Sequence, residues 1–123
     1  MSWTYQQSTG ILRHLNGIIA GIGYSGFGAC KNWPAAHTLA NQGPIPRGFW
    51  DIIGPPEDRL EYGPYVLRLD PFVDTKTFGR EDFFIHGGCL YRPGRASRGS
   101  IVLPFIVRKE IWESADYILQ VIA

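Results

Sequence analysis

Apolar and polar side chains alternate along the first part of the chain in a way that predicts short β-strands. Aromatic and polar residues alternate over residues 3–7, and the chain returns over residues 11–15. Asn16 and Gly17 form a strong hairpin signal, so a third strand is expected over residues 18–23. The chain therefore opens with a predicted meander of three strands.

Short apolar runs predict the remaining elements, and one stretch has helical spacing. The other predicted strands are residues 49–53, 65–69, 83–85, 101–103 and 117–122. The Gly-Pro-Pro step at residues 54–56 is expected to end the first of these strands. Val107 and Ile111 lie four apart after Pro104, which predicts an amphipathic helix over residues 105–114. The pattern indicates one mainly β domain, residues 1–123, with a single short α-helix near the C-terminus.

One long stretch has no sustained period. Residues 24–42 are interrupted by Gly26, Gly28 and Pro34. A loop of this length inside a small domain is usually functional. We therefore expect residues 24–42 to form part of the wall of a binding cleft.

The charge balance, the lengths of the apolar runs and the N-terminal residues bear on partners and localisation. Lys and Arg number 12 against 11 Asp and Glu, so no nucleic-acid partner is expected. No apolar run approaches the length of a membrane span. Residues 1–10 have neither the basic nor the apolar part of a Sec signal, so we expect synthesis in the cytoplasm. Cys30 and Cys89 fit no metal spacing and are expected to be free, partly buried thiols that would pair only in an oxidising compartment.

Residues 82–104 hold the strongest candidate for chemistry. An apolar run ends at His86, Gly87 and Gly88 follow directly, and Gly99 and Ser100 precede the next apolar run. Strand ends are rigid and glycine lets the backbone approach a substrate carbonyl, so this pattern is typical of a base and a nucleophile brought together. A Gly-rich turn with a satisfied polar histidine gives the same pattern. Residue types alone leave both interpretations open.

Several short motifs are spread over nearly the whole chain. They are WTY at 3–5, TG at 9–10, GYSGFG at 23–28, KN at 31–32, GPIPRG at 43–48, FIHG at 84–87, PG at 93–94 and ASRGSI at 96–101. Together these motifs resemble the L,D-transpeptidase-like effector domains that bacterial type VI secretion systems deliver. The wider superfamily shares a Pro-x-Gly-x-aromatic strand entry, here Pro46, Gly48 and Trp50. It also shares a His-Gly pair followed later by Ser-x-Gly-Cys.

The resemblance implies a compact L,D-transpeptidase-like β-sandwich or barrel and a Cys–His mechanism without metal or cofactor. A thiolate attacks the amide carbonyl before the terminal D-amino acid of a peptidoglycan stem tetrapeptide. His86 would take the thiol proton and later protonate the leaving amine. Backbone N–H groups near Gly99 and Ser100 would hold the oxyanion. Water then completes an L,D-carboxypeptidase reaction, and a D-amino acid completes an L,D-transpeptidase exchange.

Three positions depart from the family pattern. Ser100 stands where the family has its nucleophilic Cys, Arg98 where the wider superfamily has a second His, and Gly88-Cys89 where the effectors often have Asp-Ser. A serine hydroxyl ionises far less readily than a thiol, so we expect this chain to be nearly inactive. A replacement that silences a toxic enzyme and a naturally serine-bearing homologue both account for Ser100. Cys89 as a displaced nucleophile lies close to His86, but we interpret it as a partly buried spacer.

The resemblance also implies substrate-binding residues around this centre. They are Tyr24, Ser25, Asn32, Gly87, Ser97 and Arg98. The Arg98 guanidinium suits the recognition of a stem carboxylate. Alternatively, Arg98 is simply a solvated charge on a loop. The first three residues equally serve as turn residues. His14 and His37 are interpreted as surface or loop residues.

The implied function is that of an antibacterial effector delivered to the periplasm of a target bacterium. Its expected partners are peptidoglycan stem peptides, a secretion-apparatus component and a cognate immunity protein. One alternative is a non-catalytic peptidoglycan-binding module that kept the cleft and lost its nucleophile. Another is an adaptor domain of the secretion apparatus, which would associate with a tube or spike protein.

Overall fold

The computed structural model describes residues 2–88 and 97–123 of the chain. In this part of the chain the strands are β1 Trp3–Gln6, β2 Ile11–Arg13, β3 Ile19–Ile22, β4 Tyr24–Ser25, β5 Gly48–Arg59, β6 Gly63–Pro71, β7 Phe83–His86, β8 Ile101–Val102 and β9 Ile118–Ile122. Helix α1 spans Phe105–Glu113, and two short 3₁₀ turns lie at Gly28–Cys30 and Pro34–Ala36. The prediction of a mainly β chain with one short helix is confirmed.

The strands form one mixed sheet that curls until its ends meet. Their order is β3-β2-β1-β9-β5-β6-β7-β8-β4, with β1/β9 and β7/β8 parallel. The end strands β3 and β4 are consecutive in the chain and separated by Gly23 alone. Gly23 donates its N–H to Gly10 O at 2.8 Å, and a Cβ at Gly23 would lie 1.7 Å from Val102 O. Only glycine therefore fits where the two ends of the sheet come together.

A single core cluster packs between the sheet and α1. Its residues are Trp3, Tyr5, Leu12, Ile45, Trp50, Ile52, Leu67, Leu69, Phe83, Ile85, Ile101, Leu103, Val107, Ile111, Leu119 and Val121. The two helix residues chosen from their spacing are both in this cluster, as predicted. Arg108, a charged residue of the same helix, is also buried. No helix in the described residues is long and apolar enough to cross a membrane.

The predicted hairpin at Asn16 and Gly17 is confirmed. Gly17 donates its N–H to His14 O at 2.9 Å, and the Asn16 side chain accepts the N–H of Ile18 at 3.0 Å. The flanking strands β2 and β3 pair antiparallel and are slightly shorter than predicted. The turn residues Asn16 and Gly17 were therefore sufficient to predict this connection.

The prediction that residues 54–56 end a strand is wrong. β5 continues through them to Arg59, with a shift in register against β6 between Ile53 and Glu57. A bulge leaves residues out of the ladder, so the prolines need not donate a hydrogen bond there. Gly54 fits under Trp112, where a Cβ would lie 2.2 Å from the indole. The long β5–β6 hairpin that results carries Tyr62 to the site described below.

The stretch predicted as a long loop contains little regular structure. It holds β4 and the two 3₁₀ turns, and the second turn begins at Pro34. Cys30 is buried, with its Sγ 3.9 Å from Gln42 Oε1. The predictions for Cys89, Pro93 and Gly94 lie outside the described residues.

Candidate active site

His86 ends β7, and Ser100 directly precedes β8, the strand that pairs parallel with β7. In this register Ile85 is opposite Ile101 and His86 is opposite Val102, so Ser100 is level with Phe84. Side chains alternate across a strand, and Ile85 and Ile101 belong to the core cluster. His86 therefore projects from the other face of β7, and Ser100 directly precedes β8 with its Oγ beside the Phe84 N–H.

The Ser100 side chain is buried and already accepts a hydrogen bond. Phe84 donates its backbone N–H to Ser100 Oγ at 3.0 Å. Within the described residues no hydrogen bond joins Ser100 to His86. The two side chains thus belong to neighbouring segments of the sheet, but they do not form a hydrogen-bonded dyad.

His86 is held at the buried end of β7 with one ring nitrogen engaged. Its Nδ1 lies 2.8 Å from Gly87 O, and because a carbonyl only accepts, Nδ1 carries the hydrogen. Nε2 is then the basic nitrogen in the neutral ring, and it is buried without a hydrogen-bond partner in the described residues. Burial lowers the pKa of His86 below its ordinary value, and the Arg108 guanidinium lowers it further, against the opposing effect of the bond to Gly87. The imidazole is therefore kept neutral, the form that a general base requires.

Two predicted substrate-binding serines hold the turn that precedes Ser100. Ser25 Oγ donates to Gly99 O at 3.0 Å and accepts the N–H of Ile45 at 2.8 Å. Ser97 Oγ donates to Ser100 O and accepts the N–H groups of Gly26 at 2.9 Å and Gly99 at 3.1 Å. Both side chains are completely buried. Their hydrogen bonds position the turn, and the Gly99 N–H predicted for the oxyanion is already bonded within it.

The other predicted binding residues lie around this turn. Asn32 accepts the Ser25 N–H through its side chain at 3.1 Å and has a left-handed φ of 56°. Tyr24 pairs with Val102 in the sheet, and Lys31 lies 5.0 Å over its ring. Asn32 therefore shapes the loop, which is the turn role that the sequence left open.

A cleft of about 430 Å³ opens beside Ser100. It is lined by Ala40, Asn41, Tyr62, Gly79, Arg80, Glu81, Asp82, Phe83, Arg98, Gly99 and Ser100. Arg98 is exposed in this cleft and lies 5.4 Å over the ring of Phe27. The stretch of residues 24–42 contributes only Ala40 and Asn41 to the wall. The cleft combines both signs of charge with two aromatic residues, Tyr62 and Phe83.

Arg80 was missed by the sequence analysis and fixes the cleft floor. Its guanidinium is buried, donates to the carbonyls of Gly43, Pro44 and His37 at 2.7–2.9 Å, and reaches Arg98 O at 3.5 Å. A Cβ on Gly99 would lie 2.3 Å from this guanidinium. Arg80 therefore ties the turn before Ser100 to residues 37–44. No local signal distinguishes it from an ordinary loop arginine.

Tyr62 and Arg108 were also missed. The Tyr62 ring is stacked on the His86 ring, with 4.1 Å between centroids and an interplanar angle of 16°. Arg108 donates to Tyr65 O at 3.0 Å and to Pro64 O at 3.2 Å, and its guanidinium would be 3.1 Å from a Cβ on Gly87. Gly87 thus makes room for this arginine beside the histidine.

Metal binding and relatives add no further constraint on this site. Among the described residues no group of three or more His, Cys, Asp and Glu side chains is arranged to hold a metal ion. Comparison of the chain with protein-family models, with curated proteins and with solved structures gives no match. The site must therefore be interpreted from its own geometry and from the motifs of the sequence.

Proposed function

We propose that this chain is an L,D-transpeptidase-like domain that acts on peptidoglycan stem tetrapeptides and is silenced by serine at its nucleophile position. The observation that carries the proposal is that His86 ends β7 and Ser100 directly precedes the adjacent parallel strand β8. The Nε2 of His86 has no hydrogen-bond partner among the described residues, and Ser100 lines a cleft. A Cys–His enzyme needs its base and its nucleophile brought onto neighbouring segments, with cysteine at position 100.

With cysteine at position 100, the reaction balances with these residues alone. His86 Nε2 takes the thiol proton, and the sulfur forms a bond to the carbonyl carbon before the terminal D-amino acid. The carbon–nitrogen bond breaks as the imidazolium returns its proton to the leaving amine. Water or a free D-amino acid then attacks the thioester and regenerates the thiol. The two acceptors give carboxypeptidase and exchange products, respectively.

The proposal extends to biology through the resemblance of the sequence motifs. The domain acts as an antibacterial effector that a type VI secretion apparatus delivers to the periplasm of a target cell. A secretion-apparatus component and a cognate immunity protein are its protein partners. The secretion-apparatus partner follows from the resemblance of the motifs around His86 and Ser100. The immunity protein follows because cell-wall cleavage endangers the producing cell as well as the target.

The test is activity after Ser100→Cys. The variant and the unchanged chain are incubated with tetrapeptide muropeptides, with and without an added D-amino acid, and the products are read by mass. We expect only Ser100→Cys to release or exchange the terminal residue. His86→Gln in the Ser100→Cys background should lower the rate by about 10²–10⁴-fold, because the general base is lost. No product from Ser100→Cys would overturn the proposal.

A non-catalytic peptidoglycan-binding module is the second candidate, and one observation favours it. Ser100 Oγ accepts the Phe84 N–H, and His86 is 1 % exposed, so the present chain has no assembled reaction centre. Such a module would bind muropeptides equally well with Ser or Cys at position 100 and would release no product with either. Calorimetric titration of the two proteins with the same muropeptide separates this candidate from the enzyme.

A further inference from the structure

The His86 ring is covered by a side chain from a different part of the chain. Tyr62 stacks on it at 4.1 Å and also contacts the Phe84 ring, with 5.4 Å between centroids. His86 itself is 1 % exposed, whereas Tyr62 is only partly buried. Tyr62 therefore lies between the imidazole and solvent.

The covered ring has an unused nitrogen. Nδ1 is bonded to Gly87 O, whereas Nε2 is buried and has no partner among the described residues. A buried polar atom without a partner costs free energy, so its retention calls for an explanation. Tyr62 offers one because its ring also lines the cleft into which Ser100 opens. One aromatic side chain thus borders both the base and the nucleophile position.

The turn that carries Tyr62 is weakly held. Tyr62 donates its N–H to Arg59 O at 3.2 Å, and Leu60 beside it is fully exposed at 103 %. The ion pairs of Arg59 with Glu57 and Glu61 are at the surface, where such pairs contribute little. The turn therefore contacts the domain through the stack of Tyr62 on His86 and Phe84 and through Arg59, which lies 4.5 Å over the Phe84 ring. Tyr62 is not a member of the core cluster.

We infer that Tyr62 is a positioning residue that seals and orients the His86 imidazole, and that its ring must move aside before Nε2 meets a reactant in the Ser100 cleft. The catalytic part of this inference rests on the proposed function. The sealing part does not, because it concerns only the access of reagents to the imidazole. The two parts can therefore be tested separately.

Access is measured with diethyl pyrocarbonate, which acylates the unprotonated imidazole nitrogen. The rate at His86 is followed by peptide mass mapping, with His14, 36 % exposed in its side chain, as the reference in the same molecule. Tyr62→Ala should raise the ratio of the His86 rate to the His14 rate by about tenfold, because local opening then exposes Nε2 more often. Tyr62→Phe should leave the ratio near that of the unchanged chain, since the stack is retained.

Two further variants keep this test decisive. Leu60→Ala alters the same turn through an exposed side chain and should leave the His86 rate unchanged. Tyr62→Leu retains apolar bulk without a flat ring and should give an intermediate ratio, and it serves if Tyr62→Ala does not fold. An unchanged ratio in a folded Tyr62→Ala or Tyr62→Leu protein would overturn the seal, whatever the activity of Ser100→Cys.

Orientation is measured in the Ser100→Cys background. Tyr62→Ala should lower kcat by about tenfold without raising KM, because a freely rotating imidazole is aligned with the thiol less often. Tyr62→Phe should restore kcat. A rise in KM with unchanged kcat would contradict the positioning role and make Tyr62 a simple substrate contact. Inactive Ser100→Cys with a tenfold change in the acylation ratio would reject the proposed function and retain the seal.

Discussion

The two residues proposed to react, Ser100 and His86, are held in opposite ways. The turn before Ser100 is held by buried hydrogen bonds from Ser25 and Ser97, and Arg80 reaches it with a longer bond to Arg98 O at 3.5 Å. His86 is held by one bond to a neighbouring carbonyl and by the ring of Tyr62. Buried polar bonds fix one geometry, whereas the Tyr62 side of the stack is only partly buried and so is less constrained. The proposed nucleophile position is thus bonded in place, and the proposed base is covered instead.

Arg80→Met gives the largest expected loss of stability in this comparison. It removes the donor to three carbonyls, two of them in buried hydrogen bonds and one in a part-buried bond, so the free energy of unfolding should fall by about 3–5 kcal/mol. Urea unfolding measures the change. Arg68→Met is the matched control, because Arg68 is 50 % exposed and lies 3.9 Å from Asp70, and it should change stability by less than about 0.5 kcal/mol. Equal losses in both variants would show that Arg80 does not fix the turn.

Gly99→Ala is expected to be the next most harmful change. Gly99 has a φ of 136°, and an added Cβ would lie 2.3 Å from Arg80, so stability should fall by about 2–4 kcal/mol. Gly79→Ala is its control, since Gly79 has a φ of 74° and nothing within 4 Å of an added Cβ, and it should cost about 1 kcal/mol. Urea unfolding measures both losses. Equal losses in Gly99→Ala and Gly79→Ala would contradict the tight fit at Gly99.

The lowered pKa of His86 should make the stability of the protein depend on pH. The unfolded chain protonates His86 near its ordinary pKa of 6.5, whereas burial gives the folded chain a lower pKa at this residue. This contribution to stability is complete above pH 6.5 and is lost as the pH falls through the lower, folded pKa. The slope reaches at most about 1.4 kcal/mol per pH unit.

Unfolding in urea between pH 7.5 and pH 5 measures this slope. His86→Gln removes the titrating group and should flatten the curve. Some slope remains in the variant, because the pKa of His37 is also lowered, by burial and by Arg47 and Arg80. An identical pH dependence in the two proteins would contradict a neutral, buried His86.

Tyr62→Ala should give the smallest change in stability. The lost stack is worth about 0.5–1.5 kcal/mol, because it is an aromatic contact near the surface. Tyr62→Phe should stay close to the unchanged chain in the same urea experiment. A loss as large as that of Arg80→Met would erase the contrast between the two halves of the site and make Tyr62 part of the fixed framework.

Local patterns predicted the elements well where the cause was local. Alternation marked the strands, Asn16 and Gly17 marked the hairpin, and the four-residue spacing of Val107 and Ile111 marked the helix. The pattern failed at residues 54–56, because a bulge against β6 relieves the prolines of ladder bonds. That relief depends on a partner strand, which a single segment does not encode.

The sequence by itself determined a mainly β chain with one helix, and it singled out His86 and Ser100 as the residues to examine. That their segments are neighbours followed only from the parallel pairing of β7 and β8. The roles of Arg80 and Tyr62 were likewise decided by tertiary structure. Arg80 bonds to a carbonyl 36 residues away, and Tyr62 reaches His86 from a different hairpin. Periodicity reports which side of a strand is buried, but the partner of a buried polar or aromatic group is set by how distant segments pack.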